Sequence, residues 1–452
     1  MSSHFIRMKR DFIPLFVHAA IISTLLLGSC EKVRDVPQNA NAFHSSEVAE
    51  EWMKLQIRLM RNSTGIPNQA FSRHYVYAGI AAYESISPSL PGAIVNRAKW
   101  NGLTGLPASN PKLKYYWPAS MNAALASINR SMFPNANVTD KAAIDSLENA
   151  LNSSFSAEAE NDRIVSANNF GKQVAAAIYN WAETDGYKTS GGAYTPPTGP
   201  GLWVPTPPAY ANAASPYWGN NRPVVRGSIM NSMPDAPIAY SADPGSPFYQ
   251  MVKQVYDASQ VLTQEQKNMA MYWRDVPGVT SPGHWLSILY QVVSAGDVSL
   301  EKAALAYALT GAAINDGLIA CWQAKYHFNL VRPITYIRNV IGASEWLSFL
   351  TTPGHPEYPS AHAVLSAAAA DVFTHLFGNK SFTDHTYDYL GYPARNYNSF
   401  KAIGEDASYS RFYAGIHYLP SIEAGIKQGR KITENIFSEI KDYDQSPDGF
   451  EK

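Results

Sequence analysis

The stretch SLEKAALAYALTGAAINDGLIACWQAKY, residues 299–326, decides the fold. Ser299 stands where an N-cap belongs, and the alanine-rich run behind it predicts one long helix to about Tyr326. A second alanine-rich helix is predicted from near Ser360 to Leu376, and a last long one from about Ile422 to Lys441. Upstream, Ser46 can cap a helix ending at Asn62 to Gly65, with Trp52, Leu55 and Leu59 at i, i+3 and i+7. Arg73 to Ile86, Ser120 to Met132, Asp140 to Leu151 and Ala157 to Trp181 read as further helices. Helices resume at Phe248, and Thr263-Gln264-Glu265-Gln266 is a capping box. The sequence has no sustained period-2 alternation, no glycine-rich phosphate loop and no internal repeat. The predicted fold class is all-α.

Residues 190–247 break this pattern. Twelve of the chain's 30 prolines lie there, and helices do not persist through such a stretch. The aromatics Tyr194, Trp203, Tyr210, Tyr217 and Trp218 among them favour an ordered loop packed over the helical body rather than a linker.

Composition limits the function. Of 452 residues, 46% are hydrophobic and 16% charged, with a formal net charge of −1, which excludes wholesale disorder and gives no electrostatic footprint for nucleic acid. After residue 30 no run approaches 18 uninterrupted apolar residues, so the body is not read as an integral membrane protein. At the N-terminus, Arg7, Lys9 and Arg10 precede a mostly apolar run from Ile13 to Leu27, the layout of an export signal. Leu27-Gly28-Ser29-Cys30 resembles the bacterial lipobox, in which the cysteine is acylated and becomes the mature N-terminus. The expectation is a leader at 1–29, a polar tether at 30–44 and attachment to a membrane by lipid only, on the outer membrane or cell surface. The other cysteine is Cys321, so with Cys30 acylated no internal disulfide can form.

Three segments carry candidate chemistry: Lys325-Tyr-His-Phe-Asn-Leu-Val-Arg332-Pro333, Tyr358-Pro359-Ser360-Ala361-His362, and Ser410-Arg411-Phe-Tyr-Ala-Gly-Ile-His417. Seven residues, two helical turns, separate Lys325 from Arg332, which puts both on one face. Ser360 sits at the N-cap of an alanine-rich helix whose first turn offers free N–H groups and the positive end of a dipole. Arg411 adds a third cation, and His362 and His417 add imidazoles. Taken singly, these residues read as a solvated helix face, a cap and a core histidine. Together, three cations, a hydroxyl, backbone amides and two imidazoles fit a phosphate-shaped anion.

These segments resemble the signature of the vanadium haloperoxidase and type 2 phosphatidic acid phosphatase superfamily: Lys-x6-Arg-Pro, Pro-Ser-Gly-His, and Ser-Arg-x5-His-x3-Asp, in that order. The resemblance covers about residues 250–440 and implies packed helix bundles: an N-terminal helical part at 45–189, the loop at 190–247, a catalytic core at 248–441 and a polar tail at 442–452. Two positions depart from the signature. Ala361 replaces the motif glycine, whose N–H it can still supply. Ser421 replaces the terminal aspartate that orients the histidine, and Ser421 or Glu423 is the candidate to take its place.

In the haloperoxidase reading that the resemblance implies, the cofactor is vanadate. His417 ligates vanadium, and Lys325, Arg332, Ser360, Ala361 and Arg411 hold its oxygens. His362 acts as acid–base, and Lys325 polarises the peroxide. Trp322, three before Lys325, and His355, five before Ser360, fall where the family places halide-site residues; histidine at the second position points to bromide or iodide rather than chloride. The partners are hydrogen peroxide, a halide and a small organic acceptor. Two alternatives remain: a soluble phosphatase with His417 as the phosphoryl-accepting nucleophile and His362 as general acid, and an inactive oxyanion-binding surface lipoprotein.

Overall fold

Helix α9, Leu300–Phe328, is capped by the Ser299 hydroxyl as the sequence requires. All of Leu300–Lys325 except Lys302 and Gln323 is buried. A helix apolar on every side needs neighbours on every side, and alanine leaves room for them. The computed structural model describes residues 44–90, 99–278 and 280–440. The leader, the lipobox and the tail at 442–452 lie outside the described residues. Thirteen α-helices occur among the described residues, with one two-stranded ribbon, so the fold is all-α.

Of the first five helices, α1 (Glu47–Asn62) and α2 (Phe71–Ile86) pack on α9, and α3 (Trp117–Met132), α4 (Val138–Phe155) and α5 (Asn161–Ala182) pack on those two and on one another. After the loop come α6 (Pro247–Gln260), α7 (Gln264–Tyr272) and α8 (Ser281–Ala295), then beyond α9 the short α10 (Pro333–Tyr336), α11 (Ala361–Phe377), α12 (Phe400–Tyr413) and α13 (Leu419–Glu439). Strands β1 (Phe382–Asp384) and β2 (Arg395–Tyr397) pair antiparallel between α11 and α12, with Thr383 opposite Asn396. Helix α9 is long and apolar enough to cross a membrane by length and composition, but its apolar window is wholly buried inside the fold.

Most expected helices are present, and the capping box of α7 forms. Helix α5 begins at Asn161, because 157–160 make a turn first. The Ser46 hydroxyl does not cap α1; it donates to Glu50 at 2.5 Å instead. Helices α8 and α12 had no clear signal in the sequence.

The 190–247 segment is tied to α9. Asp316, fully buried halfway along that helix, accepts from Val224 N–H at 2.8 Å, Val225 N–H at 3.0 Å and the Ser228 hydroxyl at 2.6 Å. Trp203 and Trp218 are buried. Trp203 N–H donates to Asn329 O at 2.7 Å and Val331 N–H to Gly201 O at 2.9 Å, clamping the strand-like link that leads to Arg332.

Helix α11 is held against α13 by close backbone approach. A Cβ at Gly425 would lie 2.7 Å from the Ser360 carbonyl oxygen, and one at Gly429 would overlap the Val364 carbonyl oxygen. Glycine is the residue that permits this contact, and the contact fixes where the N-terminus of α11 points.

Candidate active site

The last turn of α9, the link after it, the start of α11 and the turn after α12 meet around a cavity of about 530 Å³, lined in part by Trp322, His355, Ala361, His362, Arg411 and His417. Lys325, Arg332 and Ser360 are buried against the same elements. A larger depression of about 990 Å³ by α1 and α4 holds none of the motif residues.

Lys325 and Arg332 reach this place by a different route from two turns of one helix. Helix α9 stops at Phe328, Asn329 adopts a left-handed conformation (φ 47°), and Arg332 is the extended residue before α10. The two cations converge because the chain turns, and the shared-face expectation is corrected. Lys325 Nζ donates to the carbonyls of Pro356 (3.0 Å), Glu357 (2.9 Å) and Pro359 (2.6 Å). Burial pulls its pKa down to about 7. Arg332 donates to His355 O, Ile416 O, His355 Nδ1 and, at 3.2 Å, His417 Nε2. Arg411 donates to the Trp273 carbonyl at 3.0 Å. Burial lowers both arginines to about 10.

Ser360 occupies the N-cap position of α11 but does not cap: no side chain bonds the free N–H groups of that turn, and the buried Ser360 Oγ has no partner. Arg411 Nε is buried and unpartnered as well. Unpaired buried donors cost stability, so one at the start of α11 and another on Arg411, which lines the cavity with Ala361 and His417, mark a place prepared for an anion.

His417 settles the question left at Ser421. Its Nδ1–H donates to Glu357 Oε1 at 2.7 Å. Tyr418 N–H donates to the same oxygen at 3.0 Å, and the Ser421 hydroxyl donates to Glu357 Oε2 at 2.6 Å. Glu357 is completely buried. The orienting carboxylate therefore comes from the segment before Ser360, and Ser421 is the hydroxyl that steadies it. Glu423 is exposed and takes no part. Since Nδ1 faces a carboxylate and Nε2 faces an arginine N–H, the lone pair sits on Nε2. Burial first, then Arg332, Lys325 and Arg411, hold the His417 pKa well below its ordinary value, which keeps that nitrogen unprotonated. Burial raises the Glu357 carboxyl against the pull of Arg332 and Ser421.

His362 is organised by Trp273, which the sequence suggested only as an entrance residue, and by Ser281 and Asp275, which it did not mark. Its Nε2 lies 2.9 Å from the Trp273 carbonyl and 2.8 Å from Ser281 Oγ. A carbonyl only accepts, so Nε2 carries the proton and Nδ1 is the basic atom. Ser281 is held by Asp275 through N–H at 2.9 Å and Oγ at 3.1 Å. Burial first, then Arg411, lowers the His362 pKa strongly. Glu357 was visible in His355-Pro-Glu-Tyr-Pro-Ser360, but sixty positions separate it from the histidine it orients.

Trp322 and His355 lie together with ring centroids 5.1 Å apart, and the loop reaches them: Trp322 Nε1–H donates to Ala214 O at 3.3 Å. Of the residues flanking the site, Pro282 lines the cavity, whereas His284 and Trp285 pack in the core.

Residues 305–446 match the family described as the VCPO second helical-bundle domain. Among solved structures, a bacterial vanadium-dependent iodoperoxidase is similar at 31% identity and a TM-score of 0.78, over 88% of this chain and 97% of that one. Apo and holo forms of a bacterial vanadium-dependent chloroperoxidase are similar in fold at 16% and 17% identity, each with a TM-score of 0.57, over 83% and 89% of this chain and 94% and 97% of those. No curated protein sequence matches the chain.

Proposed function

The chain belongs to the vanadium haloperoxidase family, and on that premise we propose that it is a vanadate-dependent enzyme that uses hydrogen peroxide to oxidise iodide or bromide rather than chloride. One observation carries the reading: Arg411, whose buried Nε has no partner, lines one cavity with Ala361, His362 and His417, and next to Ala361 the buried Ser360 Oγ is unpartnered too, with the buried cations Lys325 and Arg332 against the same elements. That set fits vanadate. His417 Nε2 would hold the metal, Arg332, Arg411, Ser360 Oγ and Ala361 N–H would hold the oxygens, and Lys325, its three donors committed to carbonyls, would act on them through its charge. Bound vanadate supplies a pentavalent Lewis acid that activates peroxide toward the halide.

The protein's own part is positioning and proton control. Glu357 fixes the His417 ring and its tautomer. His362 Nδ1 holds and returns the proton that the net reaction consumes, hydrogen peroxide plus halide plus a proton giving hypohalous acid and water. Trp273 O, Ser281 and Asp275 fix the His362 ring for that task. Lys325, anchored on three carbonyls, places positive charge at the floor of the site while it is protonated, below about pH 7. His355 and Trp322 border the place where a halide would approach. The 31% identical iodoperoxidase supports the choice of iodide.

Vanadate-loaded protein is expected to convert iodide to triiodide, and to brominate a phenolic dye, only with peroxide present. Hydrolysis of p-nitrophenyl phosphate that vanadate inhibits, without halide oxidation, would establish the phosphatase instead. Binding of vanadate with neither activity would establish an inactive oxyanion-binding protein. We also place the protein outside the cytoplasm on an acylated Cys30. A Cys30→Ala variant that stays membrane-bound with unchanged modification mass would overturn that.

A further inference from the structure

The depression of about 990 Å³ beside α1 and α4 shares a wall with the catalytic cavity, because Arg274 and Val276 line both. Its surface combines apolar side chains with uncommitted positive charge. Tyr389 and Leu390 are 51% and 45% exposed there, and Leu147 belongs to the same lining. Two of its cations are already paired: Lys54 with Glu51 at 3.6 Å and Arg58 with the buried Asp140 at 2.8 Å. Arg61 and Arg274 form no ion pair among the described residues. The Arg61 guanidinium lies 3.9 Å over the Tyr389 ring, and its one polar contact among the described residues is a 3.4 Å bond to Thr386 O. Arg274 sits 5.5 Å from the Tyr392 ring and donates to Met271 Sδ.

We infer that this groove binds the organic acceptor, an aromatic ring that carries a carboxylate, with Arg61 and Arg274 on the anion and Tyr389, Leu390 and Leu147 against the ring. The chemistry matches on both counts. A planar guanidinium recognises a carboxylate bidentately, and an exposed tyrosine offers a face for an aromatic ring. The neutral halogen species released by the proposed activity would pass the Arg274–Val276 wall on its way out and meet a held ring. There the ring C–H becomes C–halogen; the released proton combines with the hydroxide of hypohalous acid to leave as water, and the halogen is the atom reduced.

This inference rests on the haloperoxidase reading for its chemistry but not for its binding test. Calorimetry on vanadate-free protein without peroxide should show 4-hydroxybenzoate binding about tenfold or more tighter than neutral 4-hydroxybenzamide, the factor expected of one charge-assisted contact. Arg61→Gln should cut that preference several-fold, with Arg274 supplying what remains, and leave iodide oxidation by loaded enzyme unchanged. It should also turn saturable bromination of 4-hydroxybenzoate into a linear dependence on concentration. Equal binding of the two probes, or no effect of Arg61→Gln on the preference, would overturn the groove while leaving iodide oxidation to judge the enzyme reading. Weakening by Ser360→Ala rather than Arg61→Gln would also overturn it, by placing the probe in the oxyanion site. A loaded enzyme without halide oxidation would sink the function while the binding result stood.

Discussion

Replacing Glu357 by glutamine removes one charge and almost no volume. The carbonyl of the substituted side chain can still accept from His417 Nδ1–H and Tyr418 N–H, and its amide can donate to a rotated Ser421 hydroxyl, so the fold should survive. Glu357→Ala would instead strand three polar groups, at about 1–3 kcal/mol each. In the glutamine variant two effects on anion binding oppose each other. Losing a negative charge near the site favours any anion by about 1–3 kcal/mol, for charges roughly 6–12 Å apart at an effective dielectric of about 20. Losing the carboxylate behind His417 weakens the imidazole as a donor, and removing such a partner costs about 10–100-fold in metal affinity. The first effect is common to phosphate and vanadate; the second acts only where nitrogen bonds the metal. The expected result is therefore a ratio: vanadate affinity divided by phosphate affinity falls about 10–100-fold in Glu357→Gln, whichever way either affinity moves alone. Both are measurable by calorimetry on metal-free protein, with thermal unfolding as the control. An unchanged ratio in a stably folded variant would refute the role of Glu357 in orienting the metal-binding nitrogen.

Ser360→Ala should leave the unfolding midpoint within the error of a surface substitution, because Ser360 Oγ bonds nothing. Its vanadate affinity should fall by about 1.5–3 kcal/mol, the worth of a hydrogen bond to a charged group. For Lys325, a pKa held near 7 by burial means the ammonium is charged below that pH and neutral above it. Sulfate, which does not titrate there, should accordingly bind metal-free protein progressively more weakly as pH rises through 7. Lys325→Met should flatten that profile, and a flat profile in the native protein would contradict it. Asp316→Asn turns one acceptor into a donor facing the Val224 and Val225 amides, so a loss of about 1–3 kcal/mol and faster amide exchange at 224–228 are expected.

Local rules written in the sequence determined the helices and the three motif segments. The Ser299 cap, the alanine run to about Tyr326 and the Thr263 capping box depend on residues three or four positions apart, which any chain with this sequence satisfies. The lengths of those alanine helices, with no alternating pattern, were enough for an all-α reading. Spacing within each motif was equally legible. What no spacing revealed was contact across distance. Asn329 breaks α9 in a left-handed conformation, so Lys325 and Arg332 meet around a corner rather than along one helix face. Glu357 reaches His417 because Gly425 and Gly429 let α13 lie close on α11, and the Trp273 carbonyl holds both His362 and Arg411. A cap is a contact within one turn. A carboxylate sixty residues from its imidazole, or a carbonyl that sets a histidine's tautomer, exists only once several helices have packed, and those partners had to wait for the tertiary structure.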